Sequence, residues 1–223
     1  MTEPSISYLI TTKNSTNQLV DLLECIEKYI DGNECIILDD YSDNIETIEI
    51  LKEYKNKNEF KLFQNHLNKH YSNHKNIGKF YCKNSYIMQL DDDELPSETL
   101  MVNLKDIIQS NPDVELFWLP RINVFKGVTD EHAKQWGWNI DNPHKWVNWH
   151  GGDYQGRLFK NLAHLRWERP LHEKIEGAMI TTKLPKEENF AIYHHKTIEK
   201  QIETNLRYNT DFSQELNKGF IIQ

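Results

Sequence analysis

Apolar runs and amphipathic stretches alternate along the first half of the chain. Ser5 to Thr11 reads as a short buried strand, and Asn14-Ser15-Thr16 supplies N-cap chemistry. From Gln18 to Ile30 the apolar residues Leu19, Leu22, Leu23, Ile26, Tyr29 and Ile30 recur at steps of three and four, which predicts an amphipathic helix. Asp31-Gly32-Asn33 stops it, and Cys35-Ile36-Ile37-Leu38 forms a second apolar run ending in Asp39-Asp40. Strand, helix and strand at this spacing predict a βαβ unit, hence a parallel sheet with a right-handed crossover. A second helix is predicted over Ile45 to Tyr54, with Asp43 or Asn44 as its cap, and a third strand over Phe60 to Phe63. The polar, basic stretch from Asn65 to Lys83 is expected to be partly helical, packing Ile77, Phe80 and Tyr81 inward. A strand over Tyr86–Leu90, a helix over Glu98–Gln109 and a strand over Val114–Leu119 follow.

From Pro120 to Gly156 the periodicity fails. That segment carries Trp136, Trp138, Trp146 and Trp149, with glycines at 137, 151 and 152. A stretch this long without regular pattern inside a compact domain is usually functional. Short strand-like runs lie at Gly156–Lys160, Leu165–Trp167, Ala178–Thr182 and Phe190–Tyr193, and a last helix is expected from Thr197 to Leu216. No repeat or low-complexity linker divides the chain. The reading is one α/β domain over residues 1–223, with an ordered half to residue 119 and a loop-rich half from 120 carrying short strands.

Composition narrows the class. The 223 residues are 38% hydrophobic and 11% aromatic, enough for a packed core. A formal net charge of -8 argues against nucleic acid as partner. Cys25, Cys35 and Cys82 are odd in number and widely spaced, which suggests neither a disulfide framework nor a zinc knuckle and points to a reducing, cytoplasmic compartment. No run approaches a membrane span, and Met1-Thr2-Glu3-Pro4 does not open a signal peptide. The chain ends soon after its last helix, which is compatible with a domain of a longer, multi-domain enzyme.

The chemistry concentrates where Tyr86-Ile87-Met88-Gln89-Leu90 runs into Asp91-Asp92-Asp93-Glu94. Adjacent carboxylates at a strand end repel unless a cation sits among them, and oxygen ligands suit Mg²⁺ or Mn²⁺. A solvated acidic turn before the next helix is the plainer alternative. In an open parallel sheet, ligands bind outside the carboxyl ends of the strands. Here those ends carry Thr11-Thr12, Asp39-Asp40 and the acidic cluster, the layout of a nucleotide-diphosphate site.

At these residues the sequence resembles the family 2 glycosyltransferases of GT-A fold. The resemblance rests on Ser7-Tyr8-Leu9-Ile10-Thr11-Thr12-Lys13-Asn14, Ile37-Leu38-Asp39-Asp40-Tyr41-Ser42-Asp43, Lys75-Asn76-Ile77-Gly78 and the Asp-x-Asp-like acidic run. Tyr154-Gln155-Gly156-Arg157-Leu158-Phe159 and Arg169-Pro170-Leu171-His172-Glu173 resemble the Arg-Leu-Phe and His-Glu elements of a subset. It covers most of the chain. Two departures, Thr-Thr-Lys-Asn at the end of the first strand and Asp-Tyr-Ser in place of Asp-Gly-Ser, bear on base identity. The resemblance implies a Rossmann-like, mostly parallel sheet flanked by helices. Thr11, Thr12, Asp39 and Asp40 would meet the nucleotide, with Lys75, Asn76, Asp92 and Arg157 near the donor. Asp91 would face the ribose or sugar. Asp93, with Asp91 and His194 or His195, would hold the divalent metal on the diphosphate.

The implied reaction is hexosyl-type transfer from a UDP-, GDP- or TDP-linked sugar to a hydroxyl of a glycan, lipid-linked or protein acceptor, with inversion by direct displacement. It requires a neutralised leaving group, a general base and aligned substrates. Glu173 is the first candidate base, and a salt bridge to Arg169 is its structural alternative. Asp153, beside Gly151-Gly152, is the second. Arg157 would pair with the diphosphate or with an acid such as Asp153. Trp136, Trp138 and Trp149, with Trp146 and His172, are candidate acceptor contacts, or the tryptophans form a satellite hydrophobic cluster. His66, His70 and His74, spaced by four, are expected along one polar helix face. The rival functions are a non-catalytic nucleotide- or sugar-binding domain and a metal-dependent phosphohydrolase.

Overall fold

The computed structural model describes residues 3–217. The opening Met1-Thr2 of the leader reading lies outside them. The first half builds β1 (Ile6–Thr12), α1 (Asn17–Tyr29), β2 (Glu34–Asp39), α2 (Ile45–Lys55), β3 (Phe60–Gln64), α3 (Tyr71–Tyr81) and β4 (Tyr86–Asp91). The strands pair in parallel in the order β3-β2-β1-β4. Register sets Thr12 beside Asp39 and Thr11 beside Asp91, so the polar strand ends share one rim. Alternation sends Tyr8, Ile10, Ile37 and Met88 to one face and Leu9, Ile36 and Ile87 to the other, seeding two hydrophobic clusters. On α1 the residues Leu19, Leu22, Leu23 and Ile26 are buried, as their spacing predicts. Thr16 at its start makes no side-chain cap bond. The Asn14 side chain instead accepts from the backbone N–H groups of Asp43 (2.9 Å) and Asn44 (3.0 Å), tying the first rim loop to the second. Asn44 is the α2 cap, accepting from Thr47 N.

The inward face of α3 differs from expectation. Tyr81 packs inward as expected, stacked on Phe63 against the second cluster, but Ile77 and Phe80 are 38% and 84% exposed, while His74, Lys75 and Gly78 are buried. A Cβ at Gly78 would stand 2.6 Å from Leu9 Cδ1 and 3.3 Å from Leu38 Cδ2, so only glycine lets the helix lie this close to the sheet. The expected row of histidines does not form. His66 precedes the helix and stacks on Tyr41, His70 is the N-cap, and His74 is buried beside Asn65.

The chain continues through β5 (Glu94–Pro96), α4 (Glu98–Gln109) capped by Ser97, β6 (Leu116–Lys126), α5 (Asp130–Trp136), β7 (Ile140–Asp141), β8 (Trp146–Val147) and β9 (Tyr154–Lys160). Then come β10 (Arg166–Glu168), β11 (Lys174–Glu176), β12 (Thr181–Lys183), β13 (Ile192–Thr197) and α6 (Ile198–Asp211). The sheet path is β3-β2-β1-β4-β9-β6-β13-β5. β9 lies antiparallel to both β4 and β6, and β13 is parallel to β6. β6 runs seven residues past the predicted end at Leu119. Pro120 interrupts nothing there, because β12 pairs with β6 through Trp118 and β13 from Arg121, leaving the proline between two partners. The irregular segment is therefore shorter than its lost periodicity implies. No helix among the described residues is long and apolar enough to cross a membrane.

Candidate functional site

Asp91, at the end of β4, is the most heavily engaged rim carboxylate. Thr11 Oγ1 donates to it at 2.8 Å, Gln89 Nε2 at 3.0 Å and Arg157 at 2.6 Å, and Lys75 Nζ lies 3.0 Å away. Burial alone would raise its pKa, but Arg157 and Lys75 outweigh burial and hold it well below the usual carboxylate range. Arg157 enters from β9, also donating to Gln89 Oε1 and, at 2.6 Å, to Glu94, which is 1% exposed. The Arg157 partners are thus Asp91 and Glu94, and Asp153 belongs elsewhere. Asp153 accepts from Arg121 (2.9 Å), Asn123 (2.9 Å) and Gln155 (2.8 Å). Burial raises its pKa, Arg121 and these donors together lower it by more, and the balance is downward.

The next two acids behave oppositely. Asp92 accepts from Thr12 Oγ1 at 2.7 Å, yet burial and the neighbouring Asp93 push its carboxyl up to about 7. Asp93 is raised by burial, but His194 brings it down to about 2. His194 Nδ1 donates to Asn123 Oδ1 at 2.8 Å, which fixes the ring and turns Nε2 toward Asp93 Oδ2, 3.4 Å away. Nε2 and a carboxylate oxygen facing each other at a strand end form a donor set suited to a divalent cation. Among the described residues no third His, Cys, Asp or Glu converges there. Two protein donors fit Mg²⁺ or Mn²⁺, which commonly takes one or two carboxylates and completes its shell with water and substrate phosphate. Asp91 is occupied by cations. His195 projects to the opposite face of β13, beside Tyr193, and meets Asp93 only through its backbone N–H (2.9 Å).

Glu173 sits just before β11, at the end of a turn in which Arg169 and His172 have positive φ. Tyr71 N, at the start of α3, donates to Pro170 O (2.9 Å), docking this turn on the helix. Glu173 pairs at 2.6 Å with Lys75, which is 3% exposed, rather than with Arg169. Lys75 thereby links Glu173 to Asp91. The Asn76 amide is taken up by the Trp167 backbone in both directions (2.8 and 3.0 Å), so it anchors β10 instead of facing the rim.

At the other end of the rim, Asp39 is 1% exposed and accepts from Ser42 N, Ser42 Oγ and Gln64 Nε2, shaping the turn after β2. Asp40 accepts from Lys13 Nζ and Leu67 N, both at 2.9 Å. Tyr41, in the left-handed region at φ 48°, stacks on His66 with centroids 4.0 Å apart and remains 46% exposed. Trp136 and Trp138 pack on Phe125 in a small cluster with Val147 and Ile198, and Phe125 meets the His194 ring edge-on. Trp149 contacts Trp146 edge-on, while His172 meets Asn217 (3.2 Å) and Tyr208.

Three rim residues went unread in the sequence, Arg121, Asn123 and Lys196, and Glu94 was read only as part of the acidic run, not as the buried partner of Arg157. The polar alternation Arg121-x-Asn123 is a strand signal, hidden by the proline before it. Lys196 shares the His194 face of β13, and its half-buried ammonium has no hydrogen-bond or ion-pair partner among the described residues. Burial lowers its pKa, Asp93 opposes that, and the nearby Lys200, Arg207 and Arg121 lower it further.

The family model described as Glycosyl transferase family 2 matches residues 7–166. Among solved structures, the fold is similar to S. aureus TarS 1-349, with TM-score 0.61 and 14% identity over 97% of this chain and 69% of that one. TarS 1-349 in complex with UDP-GlcNAc gives TM-score 0.60 and 15% identity over 86% and 58%. A longer TarS structure gives 0.58 and 14% over 95% and 41%. No curated protein sequence matches the chain.

Proposed function

The chain belongs to glycosyl transferase family 2, and from that premise we propose that it transfers a sugar from a nucleotide-diphospho-sugar to an acceptor hydroxyl, with a divalent metal and inversion at the anomeric carbon. The observation that carries the metal reading is the Asp93–His194 pair on the rim where Thr11, Asp39 and Asp91 end their strands. Bound between Asp93 and His194, Mg²⁺ or Mn²⁺ would act as a Lewis acid on the diphosphate. Asp39 and Asp40 shape the nucleoside end of the rim, and the exposed Tyr41–His66 stack offers an aromatic surface beside it. Glu173 is the better base. One of its oxygens engages Lys75, whereas Asp153 is occupied by donors from Arg121, Asn123 and Gln155. The acceptor oxygen bonds to the anomeric carbon as the bond to the diphosphate oxygen breaks, and the hydroxyl proton passes to Glu173. TarS 1-349 with UDP-GlcNAc makes uridine diphosphate sugars the first donors to test. Three free cysteines support a reducing, cytoplasmic setting.

A thermal-shift panel of UDP-, GDP- and TDP-sugars with and without Mn²⁺ tests this reading. One nucleotide class should stabilise the protein by about 2.7 kcal/mol at a hundredfold excess over Kd. The shift should require the metal and vanish in Asp93→Ala. Stabilisation by no nucleotide sugar would overturn the donor assignment.

A further inference from the structure

Asp153 is the rim carboxylate that the proposed chemistry leaves without a task, although it is largely buried and carries three side-chain donors. Gly152, at φ 77°, turns the chain so that Asp153 arrives just before β9, where its carbonyl accepts from Arg121 N at 2.8 Å. Arg121 and Asn123 lie two apart on β6, so they share a face, and both donate to Asp153 Oδ2 at 2.9 Å. Asn123 is also the residue that β6 sets directly beside His194 of β13. Its side chain, 6% exposed, is therefore held between a carboxylate and an imidazole. A primary amide donates from one end and accepts at the other. Asn123 Nδ2 faces Asp153 Oδ2 and, at 3.5 Å, the Val147 carbonyl, while Oδ1 faces His194 Nδ1 at 2.8 Å. Turned over, the amide would set its oxygen against a carboxylate and a carbonyl with no hydrogen between them. Asp153 is in no position to supply that hydrogen, because Arg121 and its other donors favour the ionised form. The orientation is thus imposed from the Asp153 side, and it offers Nδ1 only an acceptor. Asp93 pulls the other way, since its Oδ2, 3.4 Å from Nε2, draws a proton to that nitrogen.

We propose that Asp153 is a positioning residue: through Asn123 it keeps the His194 proton on Nδ1 and leaves the Nε2 lone pair free on the side of Asp93. This rests on the metal reading above and deepens it. The hydrogen bond made by one ring nitrogen decides what the other can do, and a nitrogen that carries a hydrogen has no lone pair to give a cation. With Asn123 free to turn, Asp93 captures the proton on Nε2 and the two-donor set closes on itself. Asp153 touches neither substrate nor the reacting atoms in this role. It acts two hydrogen bonds away, at the far end of the Asp153–Asn123–His194 chain.

Long-range ¹H–¹⁵N spectra of the metal-free protein at about pH 8.5, above the ordinary imidazole range, read the tautomer directly, with the His194 signals assigned by their loss in His194→Gln. Mn²⁺ affinity, alone and with UDP, is measured on the same proteins by paramagnetic resonance of the free ion. The wild type should carry the proton on Nδ1. Asp153→Ala should show the Nε2–H tautomer and bind Mn²⁺ about tenfold or more weakly. Asp153→Asn keeps the shape but gives either orientation of Asn123 a partner, so both tautomers should appear. Adding Asn123→Asp to it should return the proton to Nδ1 and recover Mn²⁺ affinity, because an aspartate at 123 accepts from Nδ1–H whichever way it is turned. A residue that serves the fold alone would give no such recovery. The Nε2–H tautomer in the wild type, or the same tautomer in wild type and both Asp153 variants, would overturn the positioning role. Mn²⁺ binding by the wild type that is lost in Asp93→Ala would then leave the metal reading standing. A tautomer change in the Asp153 variants, with no Mn²⁺ bound by the wild type, would keep the positioning role and remove the metal reading. Should Asp153→Ala fail to fold, Asp153→Asn decides by the same comparison.

Discussion

Replacing Arg157 with methionine should cost more stability than any other single change at the rim. Its guanidinium is 7% exposed and donates to Gln89, Asp91 and Glu94, and Glu94 is 1% exposed. Methionine fills much of the volume but leaves Glu94 buried, with only Arg121 at 3.4 Å and the Asp91 backbone N–H at 3.2 Å. Removing one partner of a buried pair costs about 3–5 kcal/mol, against about 5–15 for a whole domain. With a urea m-value of about 2 kcal/mol/M, the unfolding midpoint should fall by about 1.5–2.5 M. Adding Glu94→Gln should recover part of the loss, since the stranded charge is then gone. The pH dependence has a definite sign. Asp91 is depressed below its ordinary 3.8, so its contribution is present above that value and is lost as pH falls toward the folded value. The gap between wild type and Arg157→Met should therefore narrow in acid. A midpoint within about 0.5 M of wild type at neutral pH would refute the reasoning.

Two further outcomes separate roles within the site. Glu173→Gln should lower kcat by about 10²–10⁴-fold with the donor KM little changed, and a kcat near wild type would transfer the base role elsewhere. Asp92 titrates the other way from Asp91: its folded value of about 7 lies above its ordinary 3.8, so ionising it destabilises the fold as pH rises through that interval. Asp92→Asn should thus be more stable than wild type at pH 8 and equal to it below pH 4 by thermal melts, and equal curves at pH 8 would show that Asp92 ionises freely.

The parallel frame and its polar rim were legible because hydrophobic periodicity and strand-end acids are local signals. Asp39, Asp91 and Asp93 could be placed on one rim from βαβ logic alone. What they bind to was not legible, because the partners arrive through long-range pairing. Arg157 reaches Asp91 only since β9 inserts between β4 and β6, and Lys75 reaches Glu173 only since Pro170 docks on α3. The buried face of α3 was misread for a related reason. Its inward residues His74, Lys75 and Gly78 are not hydrophobic, so a count of apolar positions points to the exposed Phe80. β6 was cut short at Pro120, whose missing N–H is harmless only where two partner strands leave a gap.

The placement of β9 also bears on how such a chain can diversify. Its middle plank comes from residues 154–160, long after the strands on either side have been synthesised, so neither half of the sequence closes a sheet by itself. An exchange of everything after residue 119 would bring in a guanidinium shaped for another set of carboxylates. The hairpins and α5 between Lys126 and Tyr154 carry no such obligation. New preferences can be written into that interval while the strand that locks the two halves is inherited unchanged.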